Sequence, residues 1–136
     1  MIQPINKNIN SLNKVSQPAT PADQQIVADL VDTLRAHQDN CVGMAANMIG
    51  QTKRIIAYQL GPMLVPMINP VITQKQNVYQ ATEGCLSLSG QRPTTRYRNI
   101  TVRYQTTDWQ TKTASFSDFT AQIIQHEIDH CDGILI

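Results

Sequence analysis

The stretch Gln125-His126-Glu127-Ile128-Asp129-His130 constrains this chain more than any other. In a helix its two histidines project from one face, about 40° apart around the axis. Imidazoles so placed can grip one metal ion, and Glu127 is angled to reach a water on that ion rather than the ion itself. This is the H-E-x-x-H arrangement of metal-dependent hydrolases. A hydrolytic site of this kind has three protein ligands and one open position. Six residues follow His130, which leaves no room for a ligand on a later helix, and His37 is the only other histidine. The search therefore turns upstream. Cys85, in Glu83-Gly84-Cys85-Leu86-Ser87, lies in an expected strand, and its thiolate would complete a His-His-Cys set.

Those two segments match, residue for residue, two signature motifs of the peptide deformylases. That family's first motif, G-hydrophobic-G-hydrophobic-A-A-x-Q, appears here as Cys41-Val42-Gly43-Met44-Ala45-Ala46-Asn47-Met48, so Met48 stands where the family has glutamine. The order and spacing also fit, and the likeness runs from about Pro18 to the last residue. The chain thus resembles the peptide deformylase family. The resemblance implies an α+β fold in which small antiparallel sheets pack around a central metal-binding helix that carries H-E-x-x-H. It implies one divalent metal ion, ferrous iron by likeness, with zinc or nickel also suited to the donors. The implied substrates are N-formyl-methionyl peptides of nascent chains, which lose formate. Val42 and Gly43, with Gly84 across a cleft, would pair with the substrate's main chain. Arg96 would lie near the substrate. Many deformylases carry a further C-terminal helix, and this chain ends before one is expected to form.

Three ligands leave one coordination position for water, whose pKa a divalent metal lowers towards ~7. Glu127 would take the proton and return it to the leaving amine. Reading Cys85 instead as a thiol nucleophile leaves Glu127 and one histidine without a role. Glu83 and Asp129 admit two readings: partners that hold a ligand's ring N–H, or ordinary salt-bridge members. The developing oxyanion needs donors, and the backbone N–H of Leu86 is one. Met48 is not, because a thioether cannot donate. Asn47, its neighbour on an expected strand, should point to the opposite face. Losing one such donor costs ~10²–10³ in turnover. Two functions follow. One is a deformylase slowed at Met48; the other is a weak or inactive relative that binds metal and peptide. Retention of three ligands and Glu127 favours the first.

Length and composition set the frame. The 136 residues read as one domain, 1–136, with polar residues 1–22 as an extended N-terminal arm. With 11 basic against 10 acidic residues, nothing favours specific DNA binding or a membrane surface. No apolar run is long enough to span a bilayer, and a signal-peptide core is not expected. Three cysteines without framework spacing suit a reducing cytoplasm. Arg92, Arg96, Arg98 and Arg103 read as a solvated sheet face, a peptide contact or a transient ribosome contact.

Local patterns place the elements. Ile26, Val27, Leu30, Val31 and Leu34 make a helical stripe, capped by Asp23 and stopped at Asn40, with His37 solvated near its end. Strands are expected at 42–49, 54–58, 65–73, 78–81, 84–88, 100–104 and 111–116, with Pro66 and Pro70 putting 65–73 near an edge. The last helix should start at Asp118, capped by Ser117, bury Phe119, Ile123, Ile124 and Ile128, and stop at Gly133.

Overall fold

The computed structural model describes residues 1–134, and the backbone alone at Leu88 and Ser89. Three α-helices are present among the described residues: α1 (Ile9–Leu12), α2 (Gln24–Ala36) and α3 (Asp118–Cys131). They accompany five strands: β1 (Gly43–Ala45), β2 (Ile55–Leu60), β3 (Met63–Cys85), β4 (Leu88–Gln105) and β5 (Thr111–Ser117). The strands form one antiparallel sheet in the order β1-β2-β3-β4-β5. The fold is α+β, as expected, but the expected small sheets are joined. The reason is the length of β3 and β4, 23 and 18 residues, whose ladder carries the pairing from one end to the other.

Register shifts between Ile68 and Val71, and between Ile72 and Gln74, bend the long ladder. The two prolines of β3 sit where the ladder tolerates them. Pro66 lies in the part paired only with β2, since pairing with β4 starts at Ile68, and Pro70 lies in the first bulge. Asn69 in that bulge has φ 50°, and its side-chain amide binds both backbone polar groups of Ala19, at 2.7 and 3.0 Å. A non-glycine residue in this region is most often Asn, Asp or His, and here the side-chain bonds offset the strain.

Side-chain alternation along β2 explains the layering. Ile55 and Ala57 share a buried cluster with Val27, Leu30 and Leu34 of α2. Ile56 and Tyr58 share another with Ala121, Ile124 and Ile128 of α3. The two helices therefore cover opposite faces of the sheet, and a strand buried on both faces shows a continuous apolar run. At α2, Asp23 accepts from the backbone N–H of Thr20 at 2.9 Å and makes no cap bond to the helix that follows. The helix ends at Ala36, four residues before the expected stop, and His37 Nδ1 turns back to Thr33 O at 2.9 Å.

The N-terminal segment, read as an extended arm, packs against the body. It contains α1, and Leu12 is fully buried. Its backbone bonds to the body at Asn6 N–H to Met48 O (2.7 Å) and Ser16 N–H to Cys131 O (2.8 Å). Polar composition concealed this, because one buried leucine and a few backbone bonds suffice to seat the segment. Gly133 (φ 73°) follows α3 as expected and donates to His130 O at 3.1 Å. No helix among the described residues is long and apolar enough to cross a membrane.

Candidate metal centre

α3 is held in place by polar clamps as well as by its apolar stripe. Gln125 accepts from Tyr97 N–H at 2.9 Å and donates to Tyr97 O at 2.7 Å. Tyr97 lies on β4 beyond the end of its pairing with β5, so the side-chain amide completes the ladder where no strand does. At the other end, Asn47 Nδ2 donates to His130 O at 2.9 Å. Residues 46–49 form a 3₁₀ turn, not the expected strand, so the face argument applied to Asn47 does not hold. Asn47 points into the protein against α3, and Met48 lines a cleft.

The two clamps bring His126 and His130 to the end of β3. The ligand atoms of Cys85, His126 and His130 all lie within 4.8 Å of one another. Cys85 Sγ is 3.3 Å from His130 Nε2, and the two imidazole centroids are 5.2 Å apart. Glu83 Oε1 accepts from His126 Nδ1 at 2.8 Å, which turns Nε2 towards the cluster. Glu83 fulfils both readings open for it, ring partner of His126 and salt-bridge member with Arg96, whereas Asp129 shows only the salt bridge. Arg96 joins both carboxylates, with Nη2 to Glu83 Oε1 at 2.6 Å, Nε to Glu83 Oε2 at 2.9 Å and Nη1 to Asp129 Oδ2 at 2.7 Å. It is 3% exposed and does not line the cleft, which corrects its expected place beside the substrate. A buried guanidinium goes to the carboxylates that satisfy it, here those behind His126.

The electrostatics suit a cation. Burial opposes ionisation of Glu83, yet hydrogen bonds from His126 and Arg96 outweigh it and hold the carboxyl down at about 2. Burial likewise opposes charge on His126, but contact with Cys85, the negative Glu127 and Glu83 raise it to about 10. His130 is pushed down to about 3, by burial first and by His126 and Arg96 next. One thiol, one imidazole kept neutral and one imidazole in a strongly negative field form a donor set that a single divalent ion would neutralise. The donor chemistry fits the metal that the sequence implies.

Glu127 is buried beside this group, and its Oε1 has no protein partner. Burial, with Glu83 and Asp129 nearby, raises its carboxyl to about 7 against the pull of His126 and Arg96. Gly43 makes room for it. A Cβ there would stand 2.6 Å from Ile123 Cγ2 and 2.8 Å from Glu127 Oε2. The glycine thus admits α3's own side chains, where the sequence suggested a ligand.

A cleft of about 570 Å³ opens over the group. Of the expected metal ligands, proton carrier, oxyanion donor and substrate contacts, all line it except Arg96 and His130, the latter fully buried beneath. Leu86 and Ser87 form the β3–β4 turn at one wall, beside Gly84. β1 is the opposite wall and an edge of the sheet. Gln59 N–H donates to Val42 O at 2.8 Å, so Val42 turns its backbone to β2, and by alternation Gly43 turns its own outward. This corrects the pairing expected of Val42. Its side chain borders the cleft, but its carbonyl is already occupied. Met48 Sδ lies 3.4 Å from Ala45 N and accepts from it.

Among the lining residues that escaped sequence reasoning, three bear on the chemistry of the cleft. Cys41 Sγ donates to Gly43 O at 2.9 Å, and burial with the nearby Glu127 raises its thiol to about 12. Gln122 is one turn before His126, a spacing that could have revealed it. Phe119, expected in the core, is 60% exposed at the cleft rim. It lies two turns before His126, off the stripe of Ala121, Ile124 and Ile128 that meets the sheet.

The family model described as "Polypeptide deformylase" matches residues 2–136, reaching further into the N-terminal segment than the motifs suggest. The chain is 52% identical over 136 residues to a peptide deformylase of Clostridium beijerinckii, covering 100% of both. It is 32% identical over 130 residues to a peptide deformylase of Caldanaerobacter subterraneus, covering 91% of this chain and 79% of that one. Among solved structures, the peptide deformylase of Thermotoga maritima superposes with a TM-score of 0.89 at 27% identity, over 99% of this chain and 95% of that one. A class I type b peptide deformylase of Acinetobacter baumannii, solved with Met-Ala-Ser bound, gives 0.88 at 28% identity, over 99% and 97%.

Proposed function

The chain belongs to the polypeptide deformylase family, and from that premise we propose that it removes the formyl group from N-formyl-methionyl peptides. One observation carries the reading: three ligand atoms within 4.8 Å of one another beside a buried carboxylate oxygen that lacks a partner. In this reading Cys85, His126 and His130 hold one divalent ion. When bound, the ion supplies Lewis acidity for the formyl carbonyl and for the attacking water.

The chain's own groups do the rest. Glu127 Oε1 accepts a proton from the water and delivers it to the departing nitrogen. The new C–O bond and the broken C–N bond give formate and a free amine. Glu83 keeps His126 in the tautomer that presents Nε2, and Arg96 steadies Glu83. The N–H of Leu86 stabilises the oxyanion, whereas Met48 contributes no donor, so turnover is lowered. The outward N–H of Gly43 and the turn at Gly84 take the substrate's main chain from two sides.

The native ion is ferrous iron, with zinc and nickel accepted by the same donors. The substrates are nascent chains, met in the cytoplasm, a compartment that suits the three unpaired thiols. A transient ribosome contact would fall to Arg98 and Arg103, since Arg96 is buried. The 136 residues act as one domain.

The position of Met48 also favours a second reading, a relative that binds metal and peptide with little turnover. Formate release from formyl-Met-Ala-Ser by protein loaded anaerobically with ferrous iron decides between them. Release supports the first reading; none from fully metal-bound protein supports the second.

A further inference from the structure

Along α3 the side chains facing the cleft are Phe119, Gln122, Ile123, His126 and Glu127. Phe119 and Ile123 are the apolar walls expected where a methionine side chain is to be held. Gln122 is not. Its Oε1 accepts from the Tyr79 hydroxyl at 3.0 Å, and among the described residues its Nε2 has no partner. Tyr79 lies on β3 six residues before Cys85 and outside the cleft, so this contact holds the amide at the cleft's border, on the side away from the metal ligands. The brace is itself supported. The Arg98 guanidinium lies 5.8 Å from the Tyr79 ring centroid and pairs with Asp118 at 3.0 Å.

This inference rests on the function proposed above. With the formyl group at the Cys85–His126–His130 cluster and the main chain along Gly43, the arm between Phe119 and Gln122 remains for the first side chain. We propose that Gln122 is a specificity-determining residue that makes the end of this arm a hydrogen-bond donor. The cleft thereby selects a first side chain with an acceptor near its tip. Norleucine has none, a methionine thioether is a weak acceptor, and methionine sulfoxide carries a strong one. A wholly apolar arm would prefer norleucine and reject the sulfoxide. This cleft accepts all three and retains the sulfoxide.

The test uses metal-loaded protein and formyl-Xaa-Ala-Ser peptides, with Xaa methionine, norleucine or methionine sulfoxide. The readout is the ratio of kcat/KM for sulfoxide over norleucine. In Gln122→Glu, which keeps size but loses the donor, that ratio should fall about tenfold, and in Gln122→Leu at least as far. Tyr79→Phe frees the amide to turn and should give an intermediate value. An unchanged ratio in Gln122→Glu would overturn the proposal. Dissociation constants of the deformylated peptides provide the same ratio without turnover. Should no formyl peptide be hydrolysed while those constants keep the predicted pattern, the hydrolase reading falls and the role of Gln122 stands.

Discussion

Met48 stands where the motif that this chain resembles has glutamine. Its sulfur accepts from Ala45 N–H and offers nothing to an oxyanion. A glutamine there could keep the Ala45 bond through Oε1 and turn Nε2 into the cleft. Met and Gln are alike in length and unbranched, so Met48→Gln should fold without overpacking. We expect kcat on a formyl-methionyl peptide to rise by up to roughly 10²-fold with KM little changed, since the added bond strengthens in the transition state. Steady-state kinetics of Met48→Gln beside Met48→Ala check this, and equal rates would show that the position supplies no donor. Single residues were legible in proportion to how local their chemistry is. Two histidines and a glutamate within five positions declare a site by themselves. Arg96 was misread because its partners, Glu83 and Asp129, lie on other elements, and a basic residue alone does not say which carboxylates will bury it.

At the scale of elements, the centre depends on how closely α3 approaches β1. Gly43 sets that approach, because a Cβ would press on Ile123 and Glu127 together. Gly43→Ala should cost about 1–3 kcal/mol of stability by overpacking and displace Glu127, so turnover should fall further than metal content. Thermal unfolding, metal analysis and formate release on one preparation measure all three; an unaltered melting temperature and rate would mean that α3 shifts freely. The helix itself was readable from its period. The 3₁₀ turn after β1 was not, since a short apolar run such as Ala46-Asn47-Met48-Ile49 fits strand or helix equally. The continuity of β3 was hidden for the opposite reason. Its prolines signal breaks, and only the pairing shows that each occupies a tolerant place.

For the molecule as a whole, the proposed metal ligands join α3, on one face of the sheet, to the end of β3. A ligand bound only by the folded state stabilises it in proportion to RT ln(1 + [L]/Kd). Chelation should therefore lower the melting temperature by several degrees. In Cys85→Ser, where a neutral hydroxyl replaces the thiolate, the chelator should have little effect. An equal shift in both proteins, followed by scanning calorimetry, would remove Cys85 from the ligand set. On the proposed mechanism, the buried, unpartnered carboxylate of Glu127 works on a metal held by its neighbours. Formate released per bound metal ion, compared between wild type and Glu127→Gln, tests it most directly. Full metal occupancy is expected in both, with nearly all release lost in the variant. Equal release per metal ion would contradict it.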